Sequence, residues 1–593
     1  MTPEEREIIR EFLNALSLEE EQVGRDLATD HLGIAFRTAV NELDWYVWNY
    51  AKQEEPTEEQ EEQYYLISLG VARLIRLMLE IHDSFRFPAL TLRRQSGPFR
   101  RVLTVVSQLG FIQHGRRVVD MAFAGICQAT RSTTGRFEFI LPAGIVNHGA
   151  IEEDVNNHFA RETARVRHEF MQQPEGRNLQ TVVDELHHET VFIFREHFMG
   201  YGADPLLDQY YFQIAWSDLK NAKGFDSFNE LREFGGIIYL KYTLAAAIVI
   251  SLCLKHEAFC RAMVKKHPEI RMEDILTISA DRAGFIESIR EGLDHFGRDF
   301  LHYTPTTAAQ AEQIFETITI TRRNASLLDG SFPALPCIIE FAQGGIVKCL
   351  AGRYRQMEFL LNALRRAYPR ECDAYQQLRE ASFQSGVEGL LGSSFPDLEM
   401  RRNIKLRKKG RELTDVDLTI IDRQQGHLLL IQLKFQDSAG GDFRVEASRM
   451  GRFRDESVRW LDTVAGWLDS TDEQTLRSTF RIPRGVRINR VRKLVLGRHH
   501  AWSLRSVRLD DDTVFASWNQ LINAVMLMKQ QQGDFRTLNG LHTLLRTYIV
   551  DTPDRYHRDE GTVEYILDCL KFAVVQADPA EFSAPAAAGG DET

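Results

Sequence analysis

The short motifs that name a chemistry at once are missing from this chain. Its 593 residues contain no P-loop, GxGxxG, GxSxG or HExxH stretch, so neither ATP-driven motion nor serine-hydrolase chemistry has a motif to rest on. Cysteine is sparse and unpatterned. The seven residues, Cys127, Cys253, Cys260, Cys337, Cys349, Cys372 and Cys569, form no CxxC pair. An odd, irregular set reads as reduced thiols of a cytoplasmic protein and argues against a cysteine-built zinc site. No internal repeat emerges. No apolar run is both long and clean. The best, Gly235 to Leu254, is interrupted by Lys241 and is expected to be a buried core helix rather than a membrane span. The N-terminus, MTPEEREIIREF, has Thr2 as an N-cap and Pro3 in the first turn. It begins an acidic helix, not a signal peptide.

What is present is an ordinary globular composition, 44% hydrophobic and 26% charged, with 36 Phe to fill cores. The length suggests roughly three domains, or two large ones. The net charge of −12 is unevenly spread. From Arg401 to Asp510 there are 24 Lys/Arg against 14 Asp/Glu, a surplus of ten in an otherwise acidic protein. Such a segment suits a polyanion, although pairing with acidic neighbours would also explain it.

Up to about Arg370 the apolar spacing is helical, as in Ile8, Ile9, Phe12 and Leu13 or Leu66, Leu69, Val71, Leu74, Ile75 and Met78. Gln53 to Gln63 reads as an acidic loop or solvated helix end. Ser96 to Pro98 and Pro174 to Arg177 read as breaks, and FEFILPAGIV as a strand. Glu185-x-x-His188 has the spacing of a di-iron ligand pair, but only one copy is convincing, so hydrogen-bonded or solvent-facing histidines are the better reading. After Tyr368-Pro369 the texture changes. A helix, DAYQQLREASFQSGVEGLLGS, is followed by strand-like NIKLRK, DVDLTIID and HLLLIQLKF, a helix SRMGRFRDESVRWLDTVAGWLD, and a strand VRKLVLGRH. Helices are expected from Trp518 to about Gln576. The predicted class is α+β and multidomain. Residues 1–370 form a mainly helical sensor, regulatory or scaffold region of one or two domains, 371–576 an α/β domain with C-terminal helices, and 577–593 a disordered tail.

Side chains alternate along a strand, so Asp415 and Asp417 share a face, as do Gln432 and Lys434. A loop centred between Gln424 and Gln425 would set Asp417 opposite Gln432 and Asp415 opposite Lys434, with Cβ atoms about 4.5–5.5 Å apart. A bulge at Gly426 would move that register by one. An Asp carboxylate and a Gln carbonyl at this range suit a hard divalent cation that also binds phosphate oxygen, and a lysine beside them suits the developing charge.

A glutamate helix, a strand, an aspartate strand and a Q-x-K strand in this order resemble the PD-(D/E)XK nucleases, which include restriction endonucleases and Holliday-junction resolvases. The resemblance spans about Glu380 to Asn523, and the later helix and VRKLVLGRH fit its core order. It implies a restriction-endonuclease-like fold and Mg²⁺- or Mn²⁺-dependent hydrolysis of phosphodiester bonds in nucleic acid, with DNA favoured, leaving 5′-phosphates. By the same resemblance Asp417 is the principal metal ligand, Lys434 the catalytic lysine and Glu388 the helix glutamate that completes the metal site. Gln432 stands where Glu or Asp is usual, and an amide attracts a cation less strongly. Arg402, Lys405, Arg407, Lys408 and Lys409, and a second group of Arg487, Arg490, Arg492 and Lys493, are candidate phosphate contacts. His499 and His500 read as turn residues. The helical region would gate or target the nuclease or mediate self-association, without a membrane. Defence against foreign DNA is a setting suggested by architecture alone. An inactive nucleic-acid-binding module and a protein-interaction scaffold are the competing readings.

Overall fold

Apolar residues at helical spacing fold the described residues of the first part of the chain into four helices in a computed structural model of the protein. These are α1 (Pro3–Leu27), α2 (Leu32–Tyr50), α3 (Glu58–Ile81) and α4 (Gly97–Phe123). The structure describes residues 1–27, 32–50, 57–82, 96–142, 167, 169–195, 198–223, 227–330, 332–341, 344–395, 397–436, 443–501, 503–504, 507–530, 537–550 and 561–577. Of the expected tail, 577–593, only Ala577 is described, as the end of a strand, and 578–593 lie outside the described residues. Local chemistry sets the helix starts. The Thr2 hydroxyl accepts from the Glu5 N–H at 3.1 Å. Thr57 caps α3 in a reciprocal box with Gln60, so the acidic stretch ends in a solvated helix start. Ser96 caps α4, as expected of a break.

The strands β1 (Gln128–Arg131) and β2 (Phe137–Pro142) follow α4. Next come α5 (Pro174–Thr190), β3 (Val191–Phe194), β4 (Phe198–Tyr201), α6 (Pro205–Lys223), β5 (Glu233–Phe234), β6 (Ile237–Ile238) and α7 (Tyr239–Lys266). The expected break falls at Gln173, a bend between helical residues 169–172 and α5, and Pro174 occupies the first turn of α5, where its missing N–H costs nothing. In α5, His187 is buried and hydrogen-bonds the Tyr211 hydroxyl at 2.8 Å. The described residues hold no metal-binding cluster of three His, Cys, Asp or Glu.

By length and composition α7 could cross a membrane, but 72% of its most apolar window is buried inside the protein. Lys241, 1% exposed, is satisfied internally. Its Nζ donates to Gln310 Oε1 at 2.9 Å and to the Pro305 carbonyl at 3.4 Å, and it faces the Tyr303 ring. Around α7 pack β7 (Ser279–Asp281), α8 (Arg282–Gly297), α9 (Ala308–Ile318), β8 (Ile338–Phe341), β9 (Gly345–Lys348) and α10 (Gln356–Ala367). A short α11 (Pro369–Ala374) leads into α12 (Gln376–Ser394).

The C-terminal sheet comprises β10 (Glu399–Lys408), β11 (Arg411–Asp422), β12 (His427–Lys434), β13 (Arg490–Gly497) and β14 (Thr513–Ser517), in that spatial order. The first three are antiparallel and the last three parallel. The crossover from β12 to β13 runs through α13 (Phe443–Asp469) and α14 (Glu473–Thr479). On one face Leu418, Ile420, Leu429, Ile431, Leu494 and Leu496 pack against α12, α15 (Trp518–Gln530) and α16 (Leu538–Val550). On the other, Ile421, Leu428, Leu430 and Val495 meet Phe453, Trp460 and Trp467 of α13. Both faces being covered explains the near-continuous apolar run of β12.

The structure corrects one expectation about the chain's end. Gln576 is not helical: the last described helix is Leu538–Val550, and the last described segments are strands, β15 (Gly561–Ile566) and β16 (Lys571–Ala577). The β-branched and aromatic residues of GTVEYI and KFAVVQ suit strands. They pair with each other, and the second partner of β16 is far back in sequence. β16 lies parallel to β2, giving a four-stranded sheet in the order β1-β2-β16-β15. Phe572 and Tyr565 join Phe12 and Phe139 in the N-terminal core.

Candidate active site

The β11–β12 connection determines the register of the site. Arg423 to Gly426 forms the loop, closed by a Gly426 N–H to Asp422 carbonyl bond of 2.9 Å. Gly426 has φ +71°, and a Cβ there would lie 2.0 Å from the Arg487 carbonyl, so only glycine fits. No bulge results. The ladder runs from Asp422–His427 to Leu418–Ile431, the register expected from the sequence.

At the next level the strands part. Asp417 Oδ2 accepts from Gln432 Nε2 at 2.7 Å and from the Leu433 backbone N–H at 2.6 Å. The carboxylate thus takes the place of a ladder carbonyl. Across β10 the matching residue, Asn403, has φ +54°. Gln384 of α12 pins the irregularity, its Nε2 donating to the Asp417 carbonyl at 2.6 Å and to Asn403 Oδ1 at 3.0 Å. The Trp460 indole N–H holds the Asp415 carbonyl at 2.8 Å. Irregular backbone of this kind re-aims a side chain. It lies at the C-terminal ends of the parallel strands, where open sheets bind ligands.

Burial pushes the Asp417 carboxyl up to about 6; the Leu433 N–H and Lys434 oppose the rise, and the nearby carboxylates Asp415 and Glu380 add to it. Gln432 is 7% exposed, and its Oε1 is buried with no hydrogen-bond donor. Lys434 Nζ pairs with Glu456 of α13 at 2.9 Å. Asp417, Gln432 and Lys434 are therefore brought together, with Asp415 beside them.

Glu388 is not brought to Asp417: it binds Arg402 of β10. On α12 the buried stripe is Arg379, Phe383, Val387 and Leu391; Glu380 is exposed and Glu388 is half-buried beside Arg402. Glu380 is a minor contributor to the raised Asp417 carboxyl. The apolar stripe of α12 was a readable sequence signal. Glu456 and Asn403 carried none, because their roles arise from packing across elements.

The basic candidates divide. Arg402 is taken by Glu388, and Lys405 and Arg407 by Glu412, while Lys408 bonds Ser470 Oγ. Lys409 sits exposed in the β10–β11 turn. The second group is not at this site. Because β13 is parallel to β12, Arg490 lies level with His427, not with Lys434, about 20 Å away along the strand. Arg492 and Lys493 are only 2% and 5% exposed. Arg492 bonds Asn539, Lys493 pairs with Asp510, and Arg490 pairs with Asp512. Arg487, just before β13, is exposed at the same far end. His500 belongs to a turn, as expected: Gln436 Oε1 accepts from the His499 and His500 N–H groups and Gln436 Nε2 donates to the His500 carbonyl.

Comparison of the chain with protein families, with curated proteins and with solved structures finds no match in any of the three.

The described residues provide no set of three His, Cys, Asp or Glu for a metal ion. That does not disqualify Mg²⁺, which keeps several waters and often takes only one or two protein carboxylates. The donor set fits such an ion in two respects: Asp417 is an anionic oxygen short of positive charge, and Gln432 Oε1 is an acceptor without a donor.

Proposed function

We propose that the C-terminal sheet and its helices form a metal-dependent nuclease that hydrolyses phosphodiester bonds, DNA being the favoured polymer. The observation that carries this reading is the Asp417–Gln432 pair at the point where β11 and β12 separate, with Lys434 two residues on. The order α12, β10, β11, β12, α13, β13 supports this reading, since it is the order that the resemblance to PD-(D/E)XK nucleases implies.

Asp417 and Gln432, the latter through Oε1, are the residues that would hold Mg²⁺ or Mn²⁺. Such an ion, when bound, acts as a Lewis acid and lowers the pKa of a bound water. The remaining work falls to the chain itself. Lys434 sets a positive charge where negative charge develops on the phosphate, and the Glu456 carboxylate orients it. Glu380 and Asp415 deepen the negative potential that draws a cation to Asp417. Trp460 and Gln384 fix the backbone of Asp415 and Asp417 so that little reorganises during reaction. The N-terminal body touches this machinery through α4, which packs on α13, the helix that bears Glu456. That contact supports a gating role for the helical region.

One observation favours a second reading. Gln432 satisfies Asp417 without any metal, as would suit a nuclease fold retained only to bind nucleic acid. Plasmid, linear duplex, single-stranded DNA and RNA, each with Mg²⁺, Mn²⁺ or EDTA, separate the two. Metal-dependent cleavage that Asp417→Ala and Lys434→Ala both abolish supports the nuclease. Equal activity in wild type and both variants would show that the site is elsewhere. Salt-sensitive binding without cleavage favours the binding module.

A further inference from the structure

The β10–β11 ribbon does not stop at the active site. The β11–β12 ladder ends at Leu418–Ile431 and β12 itself at Lys434. β10 and β11 stay paired beyond that level, as far as Lys408–Arg411. Arg411 is six residues past Asp417, about 20 Å along an extended strand.

The projecting part is strongly basic. Lys405, Arg407, Lys408, Lys409 and Arg411 outnumber the two acids there, Glu412 and Asp415, the latter directly opposite Lys405, and all seven are exposed. Glu412 is shared by Lys405 at 3.0 Å and Arg407 at 4.0 Å. Lys409 and Arg411 have no acidic partner among the described residues. At the apex Lys409 and Gly410 have φ of +49° and +79°. A two-residue turn of this kind usually carries Asn-Gly or Asp-Gly. A lysine there costs about 1–2 kcal/mol of backbone strain, and it puts a charge at the tip.

The ribbon is also rigid. Leu406 is buried among Trp467 and Phe480. The Trp467 indole N–H holds the Arg407 carbonyl at 3.0 Å, and Lys408 Nζ donates to Ser470 Oγ at 3.1 Å.

We propose that this ribbon is an arm that grips the backbone of duplex DNA beside the site. The inference rests on the nuclease reading and adds the form of the polymer. A duplex is stiff, with a persistence length of about 150 base pairs, so its phosphates stand at fixed distances from the bond at Asp417. A preset row of charges reaching about 20 Å matches that order and gives a flexible single strand no comparable advantage.

The test is binding of the full-length protein in EDTA to a duplex and to a single strand of equal length, across a salt series. The variant is Arg407→Gln, Lys409→Asn and Arg411→Gln together; asparagine tolerates the left-handed turn. Wild type should prefer the duplex. The variant should lose that preference, and the slope of log affinity against log salt should become shallower by about 2.7. Arg411→Glu alone, an exposed strand position, repeats the measurement with one side chain and should reduce duplex affinity in the same direction. An unchanged slope, equal wild-type affinity for both forms, or no binding by wild type would overturn the arm. Cleavage has no part in the readout. A protein that binds through the arm but cuts nothing in Mg²⁺ or Mn²⁺ would remove the nuclease reading alone.

Discussion

Gln432 donates its amide Nε2–H to Asp417 Oδ2 across 2.7 Å, and the other end of the same amide, Oε1, is buried without a partner. One side chain thus satisfies the aspartate and leaves an oxygen unpartnered. An ionised glutamate at this position would repel Asp417 and could donate to neither of its oxygens.

Gln432→Glu should therefore weaken the metal-free fold and strengthen cation binding. Two facing carboxylates need a counter-charge that one does not. Titration calorimetry should show Mg²⁺ affinity rising about tenfold, or roughly 1.4 kcal/mol. The variant's melting temperature should rise more on Mg²⁺ addition than that of wild type. Unaltered or weaker Mg²⁺ affinity would remove Gln432 from the metal site.

Asp417 should impose a pH dependence on both activity and stability. Its carboxyl is raised to about 6, so the anion that attracts a cation forms only as pH rises through that value. Cleavage should climb across this range, and the climb should shift to lower pH as Mg²⁺ increases, because the cation favours the ionised form. Stability moves the other way. A raised acid pKa costs nothing below the ordinary value of 3.8 and destabilises progressively as pH rises through about 6. Asp417→Asn should gain about 1–2 kcal/mol at pH 8, after allowance for partial exposure, and nothing at pH 3.5. Asn Nδ2 can also donate to Gln432 Oε1 once that amide turns. Denaturation curves at the two pH values would contradict the assignment if the gain were equal at both.

The two glutamates of α12 should behave differently. Glu380→Gln should lower kcat/KM by about tenfold, in line with a lost charge near the metal site, about 1.4 kcal/mol. Glu388→Gln loses only its pairing with Arg402 and should stay within about twofold, since exposed ion pairs contribute little. Kinetics on one duplex substrate decide the matter. A larger loss for Glu388 would restore it to the site.

The β15–β16 hairpin should stabilise the N-terminal body, not the sheet next to it in sequence. Phe572, fully buried, stacks on Tyr565 at 4.9 Å and meets Phe12 edge-on at 5.2 Å. Phe572→Ala should cost about 3–5 kcal/mol. Hydrogen exchange should report that loss in α1, α4 and β2 and leave β11 and β12 protected. Loss confined to the C-terminal sheet would contradict the strand pairing.

The sequence by itself determined the elements whose causes are local. Alternation in DVDLTIID and HLLLIQLKF, with four residues between Asp422 and His427, was enough to give the register that sets Asp417 beside Gln432. The cap at Thr2 was read the same way, while Thr57 and Ser96 showed only as an acidic stretch and a break. Tertiary structure alone decided the rest. That Gln384 meets the Asp417 carbonyl while Glu388 turns to Arg402 depends on how α12 is rotated against the sheet. The parallel pairing of β13 carries Arg490, Arg492 and Lys493 to the far end of β12 and buries the last two. The partner of β16 is β2, more than four hundred residues earlier. Such pairings depend on which surfaces bury the most apolar area together. A linear pattern specifies the face an element must hide but not the element that hides it.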